Sequence, residues 1–403
     1  MKKIKFSDLY TISSGISSTK EQAGHGSPFL SFSTVFNNFF IPDKLEDLMD
    51  TSESEQKTYS IKSGDIFLTR TSEVIDELAM SSVALKDYPN ATYSGFLKRL
   101  RPIDGLKTYP KFMAFYLRTP LFRKTITNNA TMTLRASFNE TIFSYLDLLL
   151  PDYSEQKKIG DFLYLINQKI ALNKQINARL EEMAKTLYDY WFVQFDFPDT
   201  DGKPYKSSGG EMVFDETLKR EIPKGWKPFK LSELVTLSTG KEDANFATEQ
   251  GIYPFFTCSE KILKCDVYSF DTQAILLAGK GTFSVKRFTG RFNAYQRTYV
   301  LEPKSKNLYP IVYFVIIDNV IKFTSGSRGS IIKFITRGDI ENIDVVLPND
   351  IENMRFSEVL YTYLLQAELL EKQNHQLTQL RDFLLPMLMN GQVSVTCSGA
   401  RDG

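Results

Sequence analysis

Two stretches of this chain carry one heptad pattern in one register. In the first, Ile159, Leu163, Ile166, Ile170, Asn173, Asn177, Leu180, Ala184 and Leu187 follow one another in alternating steps of four and three. In the second, Phe356, Leu360, Tyr363, Ala367, Leu370, Asn374, Leu377, Arg381 and Leu384 do the same, each 197 residues after its counterpart. Seven of the nine positions are apolar in each set. A period of about 3.5 residues held for so long defines a long helix with a single sticky seam. A lone seam is unstable in water, so the spacing predicts that the two helices pack on each other. Asn177 and Asn374 occupy the same point of the repeat, where a polar residue costs stability but fixes register.

The remainder of the chain is duplicated as well. KFSDLYTISSG (Lys5 to Gly15) matches KLSELVTLSTG (Lys230 to Gly240) at six of eleven positions, with an offset of 225. Tyr109-Pro110 answers Tyr309-Pro310 at an offset of 200, and LDLLLP (Leu146 to Pro151) answers IDVVLP (Ile343 to Pro348) at 197. The shrinking offset places a deletion of 25 residues in the second copy, between the first landmark and the second. Internal repeats decide architecture before any local signal does. These predict an α+β chain in the order module, helix, module, helix, with pseudo-twofold symmetry and an antiparallel coiled coil of the two helices. The expected bounds are 1–151 for the first module, 152–192 for its helix, 193–229 for a linker, 230–348 for the second module, 349–391 for the second helix and 392–403 for a disordered tail.

Within the modules, β-rich runs such as Asp65 to Thr69 and Tyr93 to Leu100 alternate with Gly, Pro and Ser punctuation. A helix is expected from Pro110 to Leu117 and an exposed loop from Thr127 to Thr141, with Thr324 to Thr336 as its counterpart. The linker, Trp191 to Pro228, is rich in Gly, Pro and acids, and its aromatic start is expected to pack on the helix end.

A net charge of +1 hides an uneven distribution. From Lys86 to Arg135 there are ten Lys and Arg against two acids, and from Lys261 to Arg337 thirteen against four. The stretch Asp43 to Glu77 reverses the balance, with ten acids against four bases. Each copy therefore holds a basic half, which attracts polyanions even in a near-neutral protein. The phosphate contacts expected from this pattern are Arg70, Lys98, Arg99 and Arg135 in the first module. In the second they are Lys261, Lys280, Lys286, Arg287, Arg291, Arg297 and Arg328. Polar residues beside those charges are expected to read bases: Asn128, Asn129 and Thr131 in one module, Gln296 with Arg297 in the other. Asn and Gln pair bidentately with adenine, and Arg with guanine.

Catalytic motifs are missing. Two histidines, His25 and His375, leave no material for a histidine-rich metal site or a Ser-His-Asp triad. No phosphate-binding Gly-rich loop is present. Asp199-Thr200-Asp201-Gly202-Lys203 lies in the linker and reads as a turn with solvated charges. Three cysteines, Cys258, Cys265 and Cys397, lack metal-ligand spacing and fit a reducing cytoplasm. The longest strongly apolar run, Ile311 to Ile317, is too short to span a bilayer.

The helix following LLLPDYSEQKKIGDFL, together with LEEMAKTLYDYWFVQFDFP and IPKGWK, resembles the central conserved region of specificity subunits of type I restriction–modification enzymes. The second IDVVLP and its helix resemble their distal conserved region. YPFFTCSEKI, AILLAGKG and SGSRGSIIKF are similar to landmarks of their target-recognition domains. The resemblance covers essentially the whole chain and is weakest in the first module. It implies that each module reads one half of a bipartite double-stranded DNA site while the helices act as a ruler between them. A helix of about 35–40 residues spans roughly 50–60 Å, more than one turn of B-DNA at ~34 Å. It implies no catalysis and no cofactor in this chain. Two modification subunits would use S-adenosylmethionine and two restriction subunits would use ATP and Mg²⁺. The rival readings are a DNA-binding regulator unrelated to restriction and a coiled-coil adaptor.

Overall fold

The structure is a computed structural model that describes residues 1–72, 77–103, 108–129, 136–324, 334–351 and 354–396. Two compact units partition the chain: Met1–Ala171 with His375–Gly403, and Leu172–Asn374. The division falls within the two long helices rather than in the linker, so each unit owns one module and half of each helix.

In the first unit, an antiparallel sheet runs in the order Tyr10–Ser14, Leu97–Pro102, Ile66–Thr69, Ser81–Val83. In the second, six strands run in the order Val235–Thr239, Thr298–Pro303, Phe270–Ala278, Val285–Ala294, Tyr253–Phe256, Leu263–Cys265. The sequence repeat reappears as matching registers. Lys5 stands opposite Asp147 where Lys2–Lys5 pairs with Asp147–Leu150. Lys230 stands opposite Asp344 where Trp226–Lys230 pairs with Asp344–Pro348. Tyr10 faces Pro102 in one sheet, and Val235 faces Pro303 in the other. The glycine closing the duplicated motif has the same cause in both copies: a Cβ would lie 2.2 Å from the Ser94 carbonyl oxygen at Gly15 and 1.9 Å from that of Ala294 at Gly240. Any side chain would push two strands apart.

The long helices are Tyr153–Tyr188 and Ser357–Met389. The first continues into a π turn, Asp189–Val193. The second begins eight residues later than the expected bound of 349. In the first unit, Ile159 and Leu163 share a core with Leu385, Leu388 and Met389. In the second, Ala184 and Tyr188 share one with Leu360 and Leu364. The start of one helix thus lies against the end of the other, which is antiparallel packing. Ile166, Ile170 and Ala367 are buried along the seam, and Leu180, Leu187, Phe356, Tyr363, Leu370, Asn374, Leu377 and Leu384 are half-buried.

The polar layer differs from the expectation. Asn374 meets Asn173 rather than Asn177: the Asn173 Nδ2 donates to Asn374 Oδ1 at 2.9 Å and to Gln373 Oε1 at 2.7 Å. Stepping one heptad fraction along this antiparallel register sets Asn177 opposite Leu370. Asn177 Oδ1 is buried with no hydrogen-bond partner, and so is Asn173 Oδ1, whose Nδ2 makes both of the bonds above.

The linker is structured. Met212–Asp215 and Arg220–Pro223 form a hairpin. Its aromatic start packs on the helix end, where Phe192 stacks on Tyr188 at 5.7 Å, and also beyond it: Phe197 stacks on Trp226 at 4.6 Å, and Trp191 and Phe192 each lie 5.6 Å from Phe356. Because Trp226–Lys230 pairs with Asp344–Pro348, the end of the expected linker belongs to the second module. The expected loop Thr127 to Thr141 also changes at both ends. Its first residues finish the helix Pro120–Asn129, and its last begin Glu140–Tyr145, capped by Asn139 Oδ1 on the Ile142 N–H at 2.9 Å.

Asn177→Leu is expected to stabilise the chain by about 1–3 kcal/mol, the usual cost of a buried polar atom without a partner. Asn173→Leu is expected to destabilise it by about 0.5–1.5 kcal/mol, since it removes the amide bonds to Gln373 and Asn374. Urea unfolding of the full chain checks both signs, and equal shifts in one direction would contradict the assigned layer.

Candidate nucleic-acid interface

In the second unit, three chain segments are tied together at one end of the sheet. The strand Phe270–Ala278 runs into Gly279, whose N–H donates to the Arg297 carbonyl at 2.8 Å and whose carbonyl accepts from the Ile335 N–H at 2.9 Å. Arg297 and Gln296 are the exposed tips of a tight turn closed by the Thr298 N–H on the Tyr295 carbonyl, 2.7 Å. The Cys258 thiol donates to the same Arg297 carbonyl at 3.4 Å. Next to it, Lys286 Nζ donates to the Ser259 carbonyl at 2.7 Å and Ser284 Oγ at 2.9 Å. Lys261 and Lys280 are exposed on these same segments. Gln296 Nε2 donates to Asp243 Oδ1 at 2.7 Å, so its amide is held in one direction before any ligand arrives. The result is an edge carrying Lys261, Lys280, Lys286 and Arg297 as cations around one oriented amide.

The first unit builds the same edge from different side chains. The Arg70 N–H donates to the Phe96 carbonyl at 2.8 Å, and the Arg70 carbonyl accepts from the Phe138 N–H at 2.9 Å. The turn is closed by the Leu97 N–H on the Ser94 carbonyl, also 2.9 Å. These bonds place Arg70 where the second copy has Gly279, and Phe96 where it has Arg297. Arg70 is exposed, and Phe96 is 63% exposed at the tip. Phe96 carries neither charge nor amide and so stands outside the expected residues, yet an exposed aromatic tip can contact a thymine methyl or wedge between bases. Overlaying the two turns in the repeat is the signal that finds it. Asn128 is exposed in the last turn of Pro120–Asn129. The side chain of Asn129, and Thr131, Arg135 and Arg328, lie outside the described residues.

Other expected phosphate contacts are engaged within the fold. The Lys98 side chain is 8% exposed, donates to Ser14 Oγ at 2.8 Å and faces Glu140 at 3.6 Å. Arg99 is buried, donates to the Ser60 carbonyl at 2.7 Å and lies over the Tyr93 ring. Burial pulls its pKa below the usual arginine value. The Arg287 side chain is 5% exposed and bonded to Glu181 Oε1 at 2.6 Å. Arg291 is exposed but paired with Asp271 at 3.0 Å and seated over Tyr268. The strand Leu97–Pro102 is buried on both faces at Lys98 and Arg99 alike, so a basic run in the sequence supplies internal ties as well as surface cations. Arg118 is an extreme case: its guanidinium donates to the carbonyls of Ser81, Val35, Phe36 and Asn38, and burial lowers its pKa to about 10.

A family model for the type I restriction modification DNA specificity domain matches residues 1–182 and 223–379. The specificity subunit of the Escherichia coli type I restriction enzyme EcoDI is 44% identical over 181 residues, which are 43% of this chain and 40% of that protein. That match therefore spans less than half the length of the relative. The specificity subunit of the Methanocaldococcus jannaschii enzyme MjaIX is 23% identical over 345 residues, 78% of this chain and 75% of that one. The crystal structure of the type I restriction–modification S subunit from M. genitalium superposes with a TM-score of 0.59 at 14% identity, covering 96% and 95% of the two chains. At that identity the likeness concerns the fold.

Lys280→Gln is expected to weaken duplex binding about equally on all sequences and to reduce the slope of log affinity against log salt by about 1. Gln296→Ala is expected to cost about 1–3 kcal/mol on one half-site only and to relax discrimination there. Titrations of both variants at several salt concentrations check this. Uniform weakening by Gln296→Ala would remove it from base readout.

Proposed function

We propose, because the chain belongs to the family of type I restriction–modification DNA specificity domains, that it is the sequence-reading subunit of such a system, each module recognising one half of a bipartite DNA site. The observation that carries this reading is the twice-built edge. One backbone hydrogen-bond pattern presents Arg70 and Phe96 in the first copy, and Lys280, Gln296 and Arg297 in the second. A common frame with different tips suits two readers of different half-sites: the frame sets the approach to the duplex and the tips select bases. Modules spanning 1–151 and, with its first strand included, 226–348 would be the two readers.

In this reading the chain supplies the address and no chemistry, and needs no cofactor of its own. Methyl transfer from S-adenosylmethionine would belong to two modification subunits, and ATP- and Mg²⁺-dependent translocation and cleavage to two restriction subunits. The duplication supports two copies of one partner. Leu172 and Leu369, related by the repeat offset, are 50% and 53% exposed, and Met183 and Leu380 are 48% and 45% exposed. Apolar residues kept in water at the same two positions of both helices suit two identical docking surfaces. Among the described residues no helix is long and apolar enough to cross a membrane, and a cytoplasmic location is part of the proposal.

Sequencing modified adenines in DNA exposed to the chain with its modification subunit tests the reading. The expected outcome is a motif of two half-sites at one fixed spacing. Exchange of residues 226–348 for the corresponding segment of a relative is expected to change one half and leave the other half intact. A continuous, unsplit motif, or a chimera that alters both halves, would sink it.

A further inference from the structure

The geometry points to Arg287 as a positioning residue that fixes the pose of the second module's sheet on the helix pair, and so sets how strictly the spacer between half-sites is measured. The inference rests on the bipartite reading above.

Arg287 lies on the strand Val285–Ala294 next to Lys286 of that edge, but on the opposite face of the strand. Its guanidinium reaches three other elements at once. It donates to Glu181 Oε1 on the first long helix at 2.6 Å and to the Leu364 carbonyl on the second at 3.3 Å. It also sits 4.6 Å from the centre of the Tyr313 ring, on the helix Leu308–Thr324. Burial works against this charge, but Tyr313, Tyr309, Glu181 and Glu368 together hold it above the ordinary arginine value. Two residues along the strand, on the same face, Thr289 Oγ1 donates to Glu368 Oε2 at 3.1 Å. The other oxygen of Glu368 accepts from Tyr309.

Apolar contact between the sheet and the helix pair resists separation and close packing resists sliding, but neither has the direction of a hydrogen bond. A buried, forked cation bonded to both helices opposes rocking, because a displacement that breaks its bonds to Glu181 and the Leu364 carbonyl leaves a guanidinium only 5% exposed short of partners. A module free to rock would reach half-sites over a range of spacings; a bolted one reaches a single spacing. The reading edge is untouched by the bolt, so base identity and spacing are controlled by different residues.

The test uses the full chain with its modification subunit and a DNA library in which both half-sites are constant and the spacer varies by one or two base pairs. The main variant is Arg287→Met with Glu181→Met, which removes both charges and leaves neither buried alone. It is expected to keep both half-site sequences and to lose at least tenfold in discrimination between the parent spacer and its neighbours. Thr289→Val, a milder cut of the neighbouring tie, is expected to shift the spacer profile in the same direction by a smaller factor, and carries the test should the paired variant not fold. Arg287→Lys, which keeps one bond to Glu181, is expected to restore part of the discrimination. Lower methylation at an unchanged spacer profile would overturn the inference by making the cluster merely structural. A changed base preference in one half-site would overturn it by making Arg287 a reader. If the parent chain itself shows no bipartite motif, the functional reading fails, and this inference with it.

Discussion

A helix with one apolar face must bury that face, and here a face of matching length and period is on the other helix. Everything else in the chain is arranged around that requirement. Because the pair is antiparallel, the start of each helix lies beside the end of the other, and each module packs on half of both. Cores that would otherwise be two separate small domains are thereby extended by helix: Ile159 and Leu163 enter one, Ala184 and Tyr188 the other.

The duplication extends to the level of single hydrogen bonds. An amide following the third strand of each sheet donates to the tip of the turn before the second strand, from Arg70 to Phe96 and from Gly279 to Arg297. Backbone geometry has been retained while the side chains on it have diverged. Selection on a frame and selection on its tips can proceed separately when the frame is held by main-chain groups, which every residue but proline carries. The two glycines at Gly15 and Gly240 show the limit of this tolerance, because there a neighbouring carbonyl occupies the space of a side chain.

The architecture was legible from the sequence because it follows from periodicity and repetition, and both survive divergence. The site was legible in part. Lys280, Gln296 and Arg297 sit at one edge as charge and amide chemistry suggest, but the same reasoning pointed to Arg99 and Arg287, which lie inside. A count of basic residues says nothing about which face of a strand each occupies, and a half-buried strand of unclear alternation leaves that open. The amide layer failed for a different reason. Residues at equal points of a repeat are related by the pseudo-twofold axis, and in an antiparallel pair only residues on that axis meet their own equivalents. Asn177 and Asn374 are symmetry mates, and for that reason they are not partners.

Amide meets amide on one side of the axis only, and this gives the helix pair a sense of identity. Were a first helix to meet a second copy of itself in the same register, Asn173 would lie against Asn177 at both crossings, amide to amide. A second helix meeting itself would set Leu370 against Asn374 twice, stranding two polar groups. The heterologous pair in the chain lies between these, with one matched crossing and one mismatched. A fragment holding the first module and its helix thus carries a self-complementary seam, and a fragment holding the second does not.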